Sequence, residues 1–209
     1  MEVGIDYSTE EGAKLAAALA IGIVTDTRVG GEESCSDLDY EALAFCLRYK
    51  DPKIYRDMLN YPLPAYYHEL HALGWQNSKL QRDVFVTGLG PIPMARSGVI
   101  SDLAEKFGQT SGCSTALVFA EVEGKLMASC RSSNMSLNVD EFMKELFGDA
   151  AGGKRGAGGA VVELPQLMKD LPPEIKQNLY TSIYDALVHK ALKLAGDGVR
   201  EVVENGART

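Results

Sequence analysis

Apolar residues recur at helical spacing along most of the first third of the chain and again near its C-terminal end. The pattern predicts helices over residues 9–24, 38–48, 51–59 and 65 to about 80, then a long helix over 173–195 and a short one over 199–204. Ser8 and Glu11 have the spacing of a capping box, which predicts that the first helix begins there. Asp51-Pro52 is typical of a helix start, because proline is favoured in a first turn.

The pattern changes near residue 82, where short apolar runs alternate with helical segments. It predicts a strand over residues 83–89, a helix over 99–107, a hairpin of strands 116–122 and 125–130, a helix over Val139–Phe147 and a strand over 160–164. The hairpin turns at Glu123-Gly124. The order β-α-β-β-α-β predicts an α/β fold with a small sheet covered by helices.

Prolines mark the predicted domain boundary. The segment Tyr61-Pro62-Leu63-Pro64 interrupts the helical pattern. We therefore expect a helical first domain over residues 1–61, a bridging helix over 62–81, a sheet domain over 82–170 and a C-terminal helical extension over 171–209. The apolar stripe of the extension either packs on the core or forms a subunit interface.

Composition is that of an ordinary globular protein, with 45% hydrophobic and 24% charged residues among 209. The net charge of -8 argues against a protein that coats nucleic acid, so an anion site would have to be local. The four cysteines form no C-x-x-C pair, which favours a reduced chain. The sequence shows no signal peptide and no apolar run long enough for a bilayer, and we expect a cytoplasmic protein without a membrane partner.

Residues 148–159 are rich in glycine and carry two cations at their centre. Glycines allow positive φ angles and let backbone N–H groups converge on an anion. Gly148, Gly153 and Lys154 fit the P-loop pattern G-x-x-x-x-G-K, but a P-loop has Ser or Thr next and runs from a strand into a helix. Here Arg155 follows and the predicted order is helix, loop, strand. The segment is therefore either a phosphate-contacting loop or a solvated surface loop.

Arg131 follows the second strand of the predicted hairpin. If this strand end faces the glycine-rich segment, Arg131, Lys154 and Arg155 converge on one anion, with Ser132 and Ser133 as further donors. The alternative is an arginine that is simply exposed at a strand end.

Two other polar groups could carry chemistry. Asp26 lies between Thr25 and Thr27 just after an apolar stretch, where it is either a functional carboxylate or a helix cap. His68 and His71 are one residue too close for the zinc motif H-E-x-x-H, which favours local contacts on the bridging helix.

Four segments together resemble the later half of a DHH-family phosphoesterase with its C-terminal DHH-associated domain. They are residues 18–27, residues 116–133, the helix Val139–Phe147 and the glycine-rich segment. The resemblance implies that residues 1–61 are the helical remainder of a Rossmann-like DHH domain and that residues 82–170 are the substrate-binding domain. It also implies hydrolysis of phosphodiesters with two divalent metal ions, manganese or magnesium, in the complete enzyme.

The resemblance also implies roles for individual residues. Asp26 would be a metal ligand. The substrate would be held by Arg131, Ser132, Gly152, Gly153, Lys154, Arg155, Gly156 and Gly158. The family has histidine where Lys154 stands here, and a lysine retains anion contact but not the hydrogen bonding of a neutral imidazole.

The aspartate- and histidine-rich early motifs of the family are absent from this sequence. Because a two-metal site needs several carboxylates and imidazoles, no catalytic set is complete here. We therefore expect the C-terminal portion of a phosphoesterase for short oligonucleotides or dinucleotides, inactive alone. The alternative is a non-catalytic module that binds nucleotides or single-stranded nucleic-acid ends. Exposed apolar surface on the incomplete first domain would favour a homodimer.

Overall fold

The computed structural model describes residues 4–27, 35–166 and 171–206, with side chains described as far as residue 194. The chain divides into two compact units, Met1–Leu63 and Pro64–Thr209, here called the helical unit and the sheet unit. The helical unit contains α1 (Glu10–Thr27), α2 (Asp37–Tyr49) and α3 (Pro52–Leu59). In the described residues, no helix has the length and apolar content that crossing a membrane requires.

The helices of the helical unit begin at side-chain caps. Helix α1 is capped by Thr9, whose hydroxyl accepts the Gly12 N–H at 3.1 Å, whereas Ser8 bonds to Asp6 instead. The capping box predicted at Ser8 is therefore wrong, and the helix is capped one residue later, at Thr9. Helix α3 begins as predicted, because the Asp51 carboxylate accepts the N–H of Ile54 and proline occupies the first turn.

The sheet unit is a six-stranded mixed sheet with helices on both faces. Its elements are α4 (Ala65–Gln76), β1 (Lys79–Gln81), β2 (Val84–Ile92), α5 (Gly98–Gly108), β3 (Thr115–Val122), β4 (Lys125–Ser132), α6 (Val139–Phe147), β5 (Ala151–Lys154), β6 (Ala157–Glu163) and α7 (Pro173–Gly206). The strand order is β1-β2-β3-β4-β6-β5. Strands β2 and β3 are parallel and joined through α5, while all other neighbours are antiparallel.

Two apolar layers hold the sheet between its helices. On one face, α4 and α5 pack on β2 and β3 through buried side chains such as Phe85, Leu103 and Phe107. On the other face, α6 and α7 cover the sheet through residues that include Met143 and Ala191. Much of the apolar stripe of α7 therefore packs on the core.

The predicted β-α-β-β-α-β order and the α/β class are confirmed, with three differences in the elements. The short strand β1 was not predicted, because a three-residue strand carries almost no periodic signal. Helix α7 is continuous to Gly206 rather than divided in two. Glycine lowers helix stability by only about 1 kcal/mol, so Gly196 and Gly198 do not end it.

The third difference concerns the glycine-rich segment. It forms the hairpin β5–β6 instead of a loop, and β6 begins at Ala157 rather than at residue 160. Glycine has low strand propensity, so the sequence pattern contains no sign of β5.

Candidate functional site

The hairpin β5–β6 lies beside β4 and turns at Arg155-Gly156. Gly156 has a φ of 77°, a conformation that favours glycine. Its carbonyl oxygen accepts the Ser132 N–H at 2.9 Å, which ties the tip of the hairpin to the end of β4. Because the segment is strand, the backbone N–H groups of β6 and those of β5 that face β6 take part in sheet pairing, whereas the Gly153 N–H at the outer edge of β5 donates to Asp140. Convergence of N–H groups from this segment on an anion stays a prediction.

Sheet register places two of the predicted cations on one face. Ala157 on β6 pairs with Arg131 on β4 and with Lys154 on β5. Paired residues point to the same side of an antiparallel sheet. The side chains of Arg131 and Lys154 therefore both project from the face opposite α6. Strands are about 4.8 Å apart, which puts the two backbones about 10 Å from each other. We call Arg131, Ala157 and Lys154 the cation row.

The Arg131 guanidinium is oriented by hydrogen bonds from the same face. Its Nη1 donates to Ser129 Oγ at 3.2 Å and to the Cys130 carbonyl oxygen at 3.0 Å, while Nη2 donates to Ser101 Oγ at 2.9 Å. Ser129 is buried under this contact, and Ser101 belongs to α5. A guanidinium has more N–H groups than these bonds use, so it retains donors for an anion.

No carboxylate within the described parts of the chain forms a salt bridge with Arg131 or Lys154. Asp102 on α5 is an acidic group that interacts electrostatically with Arg131. Burial raises the pKa of Asp102, and Glu105 raises it further, while Arg131 and Lys106 act in the opposite direction. The cation row therefore offers positive charge that the surrounding protein does not fully neutralise.

Two other predicted ligand residues, Ser132 and Arg155, make contacts elsewhere. The Ser132 hydroxyl is on the α6 side, where it shares a hydrogen bond of 2.8 Å with Thr115 and accepts the Asn134 N–H at 3.1 Å. Arg155 lies in the turn and contacts the Met135 Sδ at 3.6 Å. Side-chain contact between either residue and an anion at the cation row stays a prediction.

Gly153 and Gly158 serve the packing of α6 on the hairpin. A Cβ on Gly158 would lie 2.8 Å from Met143 Cγ and 2.9 Å from Val139 Cγ1. The Gly153 N–H donates to Asp140 Oδ1 at 2.9 Å. A hydrogen bond from Lys144 and then the one from Gly153 lower the pKa of Asp140, so this carboxylate stays ionised as it holds the edge of the hairpin.

Asp26 lies in the last turn of α1, not after it, and its side chain is exposed. The adjacent Thr25 and Thr27 hydroxyls donate to backbone carbonyl oxygens one turn earlier, each at 2.7 Å. The described residues contain no group of three or more His, Cys, Asp or Glu side chains that could hold a metal ion. They therefore do not fit a two-metal centre, and the role of Asp26 as a metal ligand stays a prediction.

Of the two histidines of α4, only His68 makes the local contact that the sequence favoured, whereas His71 packs on a side chain of α5. The His71 ring stacks on Phe107 with centroids 5.2 Å apart, and His68 packs edge-on against Tyr67. All four cysteines are free. Burial raises the pKa of Cys130 to about 12, so this thiol is not a nucleophile at neutral pH.

Sequence reasoning missed the two serines that orient Arg131. Ser129 could have been found, because residues two apart on a strand share a face. Ser101 could not, because it approaches only through the packing of α5 on β4.

Comparison with known proteins identifies a known domain within the sheet unit. Residues 86–181 match the model of the DHHA1 domain. An uncharacterized protein of Methanocaldococcus jannaschii is 29% identical over 166 residues, which cover 77% of this chain and 33% of that protein. Residues 86–181 are therefore a DHHA1 domain, and the resemblance to the C-terminal region of the DHH family is confirmed.

A solved structure shares the fold. An exopolyphosphatase-related protein from Bacteroides fragilis superposes with a TM-score of 0.56 at 15% identity, covering 85% of this chain and 51% of that one. RecJ from Thermus thermophilus, solved in complex with Mg²⁺, gives a TM-score of 0.42 at 14% identity over 90% of this chain and 26% of that chain. This chain thus spans about a third of the curated relative and about half of the exopolyphosphatase-related structure.

Proposed function

We propose that this chain is the phosphate-holding portion of a divalent-metal-dependent phosphoesterase that acts on short oligonucleotides or dinucleotides. The observation that carries the proposal is the cation row. Arg131 and Lys154 project from the same sheet face, and neither has a salt-bridge partner among the described residues. The DHHA1 match and the fold shared with an exopolyphosphatase-related protein support a phosphate-containing ligand.

In this proposal the two cations have different tasks. Arg131 is fixed by Ser129 and Ser101 and presents its remaining N–H donors in a defined direction, which suits a pair of phosphate oxygens. Lys154 is exposed on a flexible stem and supplies a point charge that follows the ligand.

Calorimetric titration with 5′-phosphorylated diadenylate tests the phosphate site. Arg131→Ala and Lys154→Ala are each expected to weaken binding by about tenfold or more, because a hydrogen bond to a charged group contributes about 1.5–3 kcal/mol. The matched control is Lys79→Ala, an exposed lysine on β1 at the opposite edge of the sheet, which should bind like wild type. Unchanged affinity in both site variants would reject the cation row as the ligand site.

A non-catalytic binding module is the second candidate function. It is favoured by the lack of a metal-binding group in the residues that the structure describes. The same dinucleotide, incubated with this chain and Mn²⁺, should then be bound but not hydrolysed.

A variant of Asp26 distinguishes the two candidate functions. If the chain contributes this carboxylate to a metal site, Mn²⁺-dependent hydrolysis by a longer protein that contains the chain should be lost in Asp26→Ala, while dinucleotide affinity without metal is kept. Glu69→Ala, which removes an exposed carboxylate from α4, is the control. Hydrolysis that survives in Asp26→Ala would refute its role as a metal ligand.

A further inference from the structure

The turn between β1 and β2 holds an arginine in a left-handed backbone conformation. Gln81 pairs with Val84, so Arg82 and Asp83 form a two-residue turn, and Arg82 has a φ of 61°. Glycine, asparagine and aspartate dominate such positions, because a Cβ raises the energy of a positive φ. The turn itself therefore does not favour arginine at position 82.

The Arg82 side chain also has no partner within the ranges that the structure describes. It is exposed and makes no hydrogen bond, ion pair or ring contact there. The carboxylate of the neighbouring Asp83 is occupied instead by the hydroxyl of Ser114, in the loop between α5 and β3. The positive charge of Arg82 is thus available to a ligand.

The turn lies at the same end of the sheet as the cation row. Phe85 on β2 is in register with Ala116 on β3, which pairs with Arg131 on β4. The backbone of Arg82 is therefore about 12 Å to the side of that of Arg131 and about 7 Å beyond its row. Ser129, to which the Arg131 guanidinium donates, lies in the other direction along β4, away from this end. The two arginines are thus placed to contact different phosphate groups.

A polar rim joins the two positions along the end of the sheet. Ser133, just after β4, donates its N–H to the Ser114 carbonyl oxygen at 2.8 Å. The Ser114 N–H in turn donates to the Asp83 carbonyl oxygen at 2.8 Å. The rim formed by Ser133, Ser114 and Asp83 therefore runs without a break from the end of β4 to the turn that carries Arg82.

We propose that Arg82 binds a further phosphate of an oligonucleotide whose first phosphate occupies the cation row, with the strand following the polar rim between them. This inference rests on the proposed phosphate site and adds a preference for length, because a longer strand reaches Arg82 and a dinucleotide does not. Arg82 lies before residues 86–181, which match the DHHA1 domain. A contact to the phosphate backbone strengthens binding without reading the bases.

The experiment compares two ligands of different length, the 5′-phosphorylated dimer and tetramer of adenylate, without divalent metal. Affinities are measured by calorimetry on wild type, Arg82→Gly and Lys79→Ala. Wild type should bind the tetramer about tenfold more tightly than the dimer, as expected for one added contact to a charged group. Arg82→Gly should lose most of this advantage and keep its affinity for the dimer within about twofold. Lys79→Ala removes an exposed lysine from β1 and should keep the advantage.

Salt dependence gives a second measurement, which a purely structural role of Arg82 would not change. In a plot of log affinity against log salt concentration, each phosphate neutralised on a single strand contributes a slope of about 0.7. Arg82→Gly should reduce the slope for the tetramer by about this amount and leave that for the dimer unchanged. Its urea midpoint should equal or exceed that of wild type, because glycine adopts a positive φ without strain.

The outcomes separate this inference from the phosphate site. Equal wild-type affinity for dimer and tetramer would overturn the Arg82 contact and leave the cation row intact. A tetramer advantage that persists in Arg82→Gly, or that falls equally in Lys79→Ala, would overturn it too. A lower urea midpoint in Arg82→Gly would show that arginine supports the turn, contrary to the inference. If wild type binds neither ligand, or if Arg131→Ala weakens neither, the phosphate site itself fails and the Arg82 contact with it.

Discussion

Replacement of Phe107 by alanine is expected to lower the free energy of unfolding of the sheet unit by about 3–5 kcal/mol. The Phe107 side chain is 1% exposed at the end of α5. Its ring stacks on Phe85 with centroids 4.7 Å apart and on His71 at 5.2 Å, and Trp75 packs edge-on at 5.5 Å. Alanine would leave a cavity among these rings that α4 and α5 cannot fill without moving.

Urea denaturation followed by circular dichroism and by fluorescence of Trp75, the single tryptophan, measures this loss. Ile175→Ala is the control, because the Ile175 side chain is 51% exposed on α7 and its truncation should change stability by no more than about 0.5 kcal/mol. A loss below about 1 kcal/mol in Phe107→Ala would contradict the packing of α5 against α4. The packing also bears on the site, since α5 carries the Ser101 hydroxyl that orients Arg131.

Replacement of Gly158 by valine is the second large effect that we expect, with a loss of about 1–3 kcal/mol or more from overpacking. The first carbon of the new side chain would lie within 3 Å of Met143 and Val139, which are 0% and 2% exposed. Neither side chain has free space, so α6 would have to move away from β6.

The neighbouring Gly159→Ala variant is a matched control for this change. It adds a methyl group to the same strand on the opposite face, where the nearest atom is 3.6 Å away. Its stability should equal or exceed that of wild type, because alanine restricts the unfolded chain more than glycine does. Thermal or urea unfolding of both variants measures the two changes in the free energy of unfolding. Equal stability of Gly158→Val and Gly159→Ala would show that α6 does not pack closely on the hairpin.

Local signals in the sequence were sufficient to predict many of the helices, strands and turns. Asp51-Pro52 begins α3 as predicted, and Val139–Phe147 is a helix within the predicted bounds. The turn between β3 and β4 lies at Glu123-Gly124, where both residues have positive φ, 50° and 82°. These features depend on side chains within a few residues of each other, which is the range that a sequence pattern contains.

The hairpin β5–β6 could not be predicted in the same way. Its strands are defined by pairing with β4 and by the close approach of α6, and both partners are distant in the sequence or on another element. For the site, the sequence indicated Arg131 and Lys154 but not which face each would take. That information lies in the register, since a shift of one residue would turn Lys154 to the α6 side.

The hydrogen bond between Asp140 and Gly153 also affects how this domain avoids unwanted association. Strand β5 is the edge of the sheet, and an edge strand offers free N–H groups to the strands of other molecules. The Asp140 carboxylate accepts a hydrogen bond from one of these N–H groups, that of Gly153, and places a negative charge beside the edge. The exposed Lys154 adds a positive charge. A glycine-rich edge that would otherwise serve as a template for aggregation is thus protected by an ionised side chain from the preceding helix.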